Sequence, residues 1–360
     1  MLPYVIVLIS TCYLLVVVRH AYHYQQKWVA YLCTVVITVF AMLRGYVGTD
    51  TYSYHVMFFD YGSESLLSNM QSIEPLFAIL IKFSALMSGN SFVFTGLISV
   101  VQGLVLIRLI RTSDKPAIFL AIYIAVFYLN FEFNILRAGT AILLLMLASR
   151  AKSDNNGKLF YLFGIASVLT HYTAIIGFFP MVFMKEKGAT AKILATVLML
   201  TCVAAIFYLL LNSPQNYKIM FYSHNFFTGE FLTFGIGFIV IQLIYLLIYI
   251  SAVNKNNVVP LTAFFLVWLI MVWATIPFEF VGRIADLVNA LLLFSVIEHK
   301  FVGWRSQALN IGLLALICVS LSGNFKGVLN DAMISAKGAN LSINYLMSPY
   351  NPYKFFWEDQ

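Results

Sequence analysis

A chain of 360 residues that is 61% hydrophobic and only 10% charged, with 32 Phe and 21 Tyr, carries more apolar surface than a globular core can hide, and its mean hydropathy of +0.87 excludes a soluble fold. The net charge of +7 does not mark a nucleic-acid binder, because the basic residues are scattered through short loops and form no single stripe. Apolar runs close to the length that crosses hydrocarbon, without the short alternating segments of a β-barrel, predict an all-α, polytopic transmembrane bundle of about 12 helices.

The first run, residues 2–18, has no basic residue ahead of it, so it reads as a retained helix and not a cleaved signal peptide. Arg19, His20, His23 and Lys27 follow, and the positive-inside bias places them in the cytoplasm and the N-terminus outside. A second helix over 28–43 returns outward and delivers the polar segment 44–74, read as an outer loop. Residues 75–87 are too few to cross and predict an interfacial or re-entrant helix, while 91–107 supply the inward span.

Basic loops at 108–115, 150–158, 185–192, around Lys255 and at 299–305 all fit one cytoplasmic side. A single span over the apolar residues 159–184 would put one flanking loop on the wrong side. A hairpin of two short helices turning at Thr170-His171-Tyr172 satisfies both loops and lifts His171 towards the outer face. Irregular backbone at that depth needs protein or a watery cavity around it.

Spans over 193–211, 233–253, 258–278, 284–297 and 306–322 then alternate, with an outer loop at 212–232 and an external tail at 323–360. No internal repeat or soluble module interrupts this one helical domain. Cys12, Cys33, Cys202 and Cys318 lie inside apolar runs without ligand or disulfide spacing and read as small core residues.

Two arginines interrupt apolar helices, Arg137 and Arg283. An intramembrane charge costs roughly 3 kcal/mol or more and faces a cavity or a partner. A planar guanidinium fork suits phosphate, and two on one face suit pyrophosphate. The competing readings are structural: Arg137 paired with Glu132, or Arg283 with Asp286 at i, i+3. His171, beside the helix break, is a candidate base or phosphate donor with Tyr172 as helper, against the reading of a satisfied buried imidazole. Asp50 and Glu74 are candidate bases for a sugar hydroxyl, and Tyr52 and Tyr54 suit glycan stacking, against an interfacial aromatic belt. No glycine-rich phosphate loop, HExxH, CxxC or Asp-x-Asp pair is present, which disfavours a nucleotide donor; neither a metal nor another cofactor is expected.

The order Gly48-Thr49-Asp50 with Tyr54, Glu74-Pro75-Leu76-Phe77, Asn134-Ile135-Leu136-Arg137 with Ala141, His171-Tyr172-Thr173-Ala174, Arg283 and Asn351-Pro352-Tyr353-Lys354 resembles the EpsG family of Wzy-like polysaccharide polymerases over nearly the whole chain. That family more often has Arg-Gln where this chain has Arg137-Ala138. The resemblance implies a GT-C-like, lipid-donor glycosyltransferase of the bacterial cytoplasmic membrane, polymerising undecaprenyl-pyrophosphate-linked repeat units on the outer face into O-antigen, capsule or exopolysaccharide. It implies Arg137 and Arg283 at the pyrophosphate, His171, Asp50 and Glu74 as base or acceptor-positioning groups, and a chain-length-regulating copolymerase as partner. An O-antigen ligase and a lipid-linked oligosaccharide flippase are the alternatives, followed by a polytopic acyltransferase.

Overall fold

The computed structural model describes residues 2–45, 47–48, 50–183, 236–252, 281–297 and 304–337, and no β-strand occurs among them. Helix α1 joins Leu2–Tyr4, a π-helical turn Val5–Ile9 and Ser10–Val18. Helix α2 (His23–Met42) buries Ala30, Cys33, Ile37 and Ala41, while Trp28, Leu32, Val35, Val36 and Val39 stay exposed. A water-soluble helix turns its polar side outward; here the outer side is apolar, as contact with lipid requires.

The segment expected as a polar outer loop folds instead into two short helices, α3 (Thr51–Ser63) and α4 (Leu66–Ser72). The Ser65 hydroxyl caps α4 by accepting from the Ser68 N–H at 3.2 Å. The expected short helix over 75–87 forms as α5 (Pro75–Met87), with proline at its first position, where no intrahelical N–H is lost. Lys82 of α5 donates to the Gly62 and Glu64 carbonyls at 2.9 and 2.6 Å, tying down the end of α3.

Helix α6 (Ser91–Thr112) is capped by the Asn90 side chain. Helix α7 (Pro116–Ile122) continues through two π-helical turns, Tyr123–Phe127 and Asn130–Asn134, and ends at Ile135, whose φ of −96° and ψ of 59° stop the helix. Helix α8 (Leu136–Ser153) starts at once in a new direction.

The predicted hairpin is present. Helix α9 (Gly157–Thr170) stops at His171, which is extended (φ −157°, ψ 116°), and a 3-10 turn, Tyr172–Ala174, leads into α10 (Ile175–Phe183). The two arms fold together because Phe178 lies over Gly164, where an added Cβ would come within 1.9 Å of its ring, and packs at a tilt against Phe160 with 5.3 Å between ring centroids.

Helices α11 (Ile236–Ala252), α12 (Val281–Ile297) and α13 (Trp304–Lys337) complete the described structure. Helix α13 runs on through Gly323, so the first part of the expected tail is helical. The expected spans at 193–211 and 258–278, the outer loop 212–232 and residues 338–360 lie outside the described residues.

Two packed cores result. The larger joins α1, α2, the second half of α6, and α7 to α13. The smaller collects Tyr54, Phe58, Phe77, Ile81, Phe94, Ile98 and Leu136 beneath α3 and α5. Leu136 belongs to the smaller core and Ala138 to the larger, so Arg137 stands on their seam. Among the described residues two helices are long and apolar enough to cross a membrane, Ser91–Thr112 and Ser306–Asn324, beside several shorter apolar ones.

Candidate active site at the seam

The break at Ile135 is pinned from two sides. Gly48 sits at φ +111° with its backbone against Phe133; a Cβ there would lie 2.1 Å from the Phe133 carbonyl oxygen, which only glycine permits. The Thr51 hydroxyl reaches the carbonyls of Val47 at 2.6 Å and Phe133 at 3.2 Å. Gly139 packs on Phe131 from the other side, where an added Cβ would lie 2.6 Å from the Phe131 Cβ. The Gly48–Tyr54 stretch is thereby docked on the turn that carries Arg137.

Arg137 lies in the first turn of α8 and donates from Nη1 to Glu74 Oε2 at 2.8 Å. Its guanidinium stands over the Phe77 ring, 5.5 Å from the centroid. In Glu74-Pro75-Leu76-Phe77, the carboxylate therefore grips the guanidinium and the ring supports it, with Pro75 holding Glu74 extended ahead of α5. The Tyr54 hydroxyl is within hydrogen-bonding reach of the same guanidinium.

The other carboxylate oxygen of Glu74 meets His171 Nδ1 at 2.9 Å. Glu74 thus bridges the break of α7 and α8 to the break of α9 and α10. The Ser167 hydroxyl steadies that geometry by donating to the Ala141 carbonyl at 2.7 Å. The Glu74 side chain is 8% exposed, whereas Arg137 and His171 keep 30% and 24%. The acid is therefore the inner member, and both of its partners are more exposed.

Burial pushes the Glu74 pKa up, but the His171 hydrogen bond and the Arg137 charge outweigh it and hold the acid at about 2. A carboxylate so depressed is a poor proton acceptor near neutrality. It serves better to fix the Nδ1–H tautomer of His171, leaving Nε2 to exchange protons. Because the pKa lies below its ordinary value near 4.5, the stability from Glu74 ionisation is complete above that value and is lost as pH falls through about 2. Glu74→Gln is expected to melt about 5 °C below wild type in detergent. That gap should persist from neutral pH to about 4.5 and close towards 2. A gap already closed at the upper value would contradict the anionic Glu74.

The remaining sequence candidates fall around this centre. Asp50 stands at the N-cap of α3, within electrostatic reach of Tyr54. Tyr52 and Tyr172 are exposed, and Tyr172 lies within electrostatic reach of Glu74. Tyr54 is buried against Phe77 with 5.9 Å between ring centroids. Arg137 takes Glu74 as partner and not Glu132, the partner expected from local spacing. Glu132 points the other way, accepts from Tyr123 at 3.1 Å and feels the charge of the buried Arg44.

The Arg283 side chain lies outside what the structure describes, but its helix can be placed. Phe294 meets Phe119 edge to face, with 5.7 Å between ring centroids, and Asp286 accepts from Asn130 at 2.7 Å, so α12 runs antiparallel to α7. The first turn of α12, which includes Arg283, therefore stands at the end of the bundle where α8 begins. Among the described residues, no group of three or more His, Cys, Asp or Glu is placed to hold a metal ion.

Sequence reasoning missed Gln102, whose signal was a lone amide inside the apolar run of α6. It also missed Thr51 and Phe77 as supports of the arginine.

No curated protein and no solved structure matches the chain. The family model for the EpsG family matches residues 27–347, a range that takes in the glycine docked at the break, the Glu74–Arg137–His171 bridge and α12. Its apolar-faced helices and this match together show that the chain belongs to the EpsG family, membrane proteins of polysaccharide biosynthesis.

Proposed function

We propose that the chain is a polysaccharide polymerase, a polytopic GT-C-like glycosyltransferase of the bacterial cytoplasmic membrane with its site on the outer face. It moves the growing glycan from undecaprenyl pyrophosphate to a repeat unit on a second undecaprenyl pyrophosphate. The observation that carries the reading is the Glu74 bridge, which holds Arg137 and His171 side by side at 2.8 and 2.9 Å.

In the reaction, a hydroxyl oxygen of the acceptor bonds to the anomeric carbon of the donor as the bond from that carbon to the pyrophosphate oxygen breaks. The hydroxyl proton passes to His171 Nε2, and the electron pair leaves with undecaprenyl pyrophosphate. Arg137 commits donors to Glu74 and to the Tyr54 hydroxyl and has the remainder of its five-donor fork for the departing phosphate. Its place in the first turn of an 18-residue helix adds the positive end of that helix. Arg283, on the first turn of α12, is the second cation of the clamp. Asp50 orients the acceptor hydroxyl, and the exposed rings of Tyr52 and Tyr172 stack on sugar, with Tyr54 positioning the guanidinium. A copolymerase that regulates chain length is the protein partner in this scheme.

Deleting the gene and separating surface polysaccharide by electrophoresis tests the activity. Single repeat units on the final lipid, restored to a ladder by the wild-type chain, are the expected result. No repeat units outside would instead identify a flippase, and polymer retained on the undecaprenyl carrier a ligase.

A further inference from the structure

A buried amide inside an apolar helix is costly unless its hydrogen bonds are made, and Gln102 sits fully buried in the middle of α6. Its Nε2 shares its two N–H bonds among three acceptors, the Phe131 carbonyl at 3.2 Å, the Leu136 carbonyl at 3.2 Å and the Thr140 hydroxyl at 3.0 Å. Its Oε1 has no hydrogen-bond partner among the described residues. Three acceptors around one nitrogen fix which end of the amide faces the break.

Those acceptors lie on both sides of Ile135. In a continuous helix the Phe131 carbonyl would receive the Ile135 N–H, but here that N–H turns to Asn130 at 2.8 Å. The Phe131 carbonyl is released in an apolar interior and Gln102 takes it up. The same nitrogen holds Leu136 and Thr140, one turn apart on either side of Arg137 at the start of α8. Thr140 donates its own proton to the Leu136 carbonyl at 2.8 Å, so its oxygen is left to accept from Gln102.

Resting on the polymerase reading, we infer that Gln102 is a positioning residue for the reaction. It holds the end of α7 and the start of α8 in the one arrangement that aims Arg137 at the departing pyrophosphate. It touches no substrate and acts only through the arginine. On the same helix Ser99 bonds Glu132 on the α7 side of the break, and the neighbouring Gly103 packs closely against Thr38 of α2.

The test is a double-mutant cycle in deletion cells, with polymer per molecule of membrane-inserted protein as the readout. Gln102→Met keeps the volume and loses the donor. Polymer output is expected to fall about tenfold in the wild-type background and less than about twofold on top of Arg137→Lys, because lysine keeps the charge but has already lost the fork whose aim Gln102 sets. In membranes supplied with lipid-linked repeat units extracted from the deletion strain, the loss should appear in kcat, with KM within about twofold of wild type. Gln102→Glu, which turns an acceptor towards three acceptors, should be at least as damaging.

Equal losses in both backgrounds, no loss in either, or failure of both variants to reach the membrane would overturn the inference and make Gln102 a residue of folding or of no consequence. A ladder indifferent to Arg137 itself would overturn the polymerase site, and with it this inference. A ladder that needs Arg137 but responds additively to Gln102 would overturn the inference alone.

Discussion

Cells carrying Arg137→Ala in place of the wild-type chain, at matched membrane levels, should show the polysaccharide ladder collapsed to a single repeat unit, with turnover in membranes reduced about a thousandfold. The size of the effect follows from what the side chain does. A pyrophosphate leaving group gathers charge as the sugar departs, and a donor aimed at that charge in a site shielded from water acts on the transition state more than on the bound substrate. Arg137 is well placed for this: buried enough to be held by Glu74, Phe77 and Tyr54, yet 30% exposed on its outer side. Arg137→Lys retains the charge but not the fork that bonds Glu74 and phosphate together, and should fall roughly tenfold. If both variants made a normal ladder, the guanidinium would have no part in the reaction.

The candidate site was partly legible before the fold was known, for reasons that differ residue by residue. Arg137 and His171 announce themselves because a charge or an imidazole inside an apolar run has to be accounted for. The hairpin at His171 followed from loop charge alone, since one span over 159–184 would have stranded a basic loop. Helix α5 was legible because Pro75 marks its start and the largely apolar stretch of 13 residues sets its length.

Glu74 as the shared partner was not legible. It lies 63 residues from Arg137 and 97 from His171, and an ion pair between separate helices leaves no spacing pattern in the chain. Local spacing pointed to Glu132, five residues before Arg137. The π-helical turn over Asn130–Asn134 and the stop at Ile135 changed the direction each side chain takes. The polar composition of residues 44–74 likewise concealed α3 and α4, whose short lengths make them dependent on docking, not on propensity.

Gly48→Ala is expected to be severely damaging, and it tests whether the segment that carries Gly48 is part of the site or only lies near it. The new Cβ would stand 2.1 Å from the Phe133 carbonyl oxygen and 2.8 Å from the Thr51 hydroxyl, at a φ of +111° that L side chains rarely adopt. Backbone strain of roughly 1–3 kcal/mol and overpacking of roughly 1–3 kcal/mol act together. The cheapest relief is for residues 47–51 to lift off Phe133. That movement breaks the bond from Thr51 to Phe133 and draws Tyr54 away from Arg137. Polymerisation should therefore drop by about a hundredfold or more even where the protein still reaches the membrane, because a guanidinium displaced by about 1 Å loses most of its effect. Gly89→Ala is the matched control: nothing lies within 4 Å of its added Cβ, and it should change thermal stability by less than about 0.5 kcal/mol and leave the ladder intact. Equal tolerance of the two substitutions would show that the contact between Gly48 and Phe133 does not set the position of Arg137.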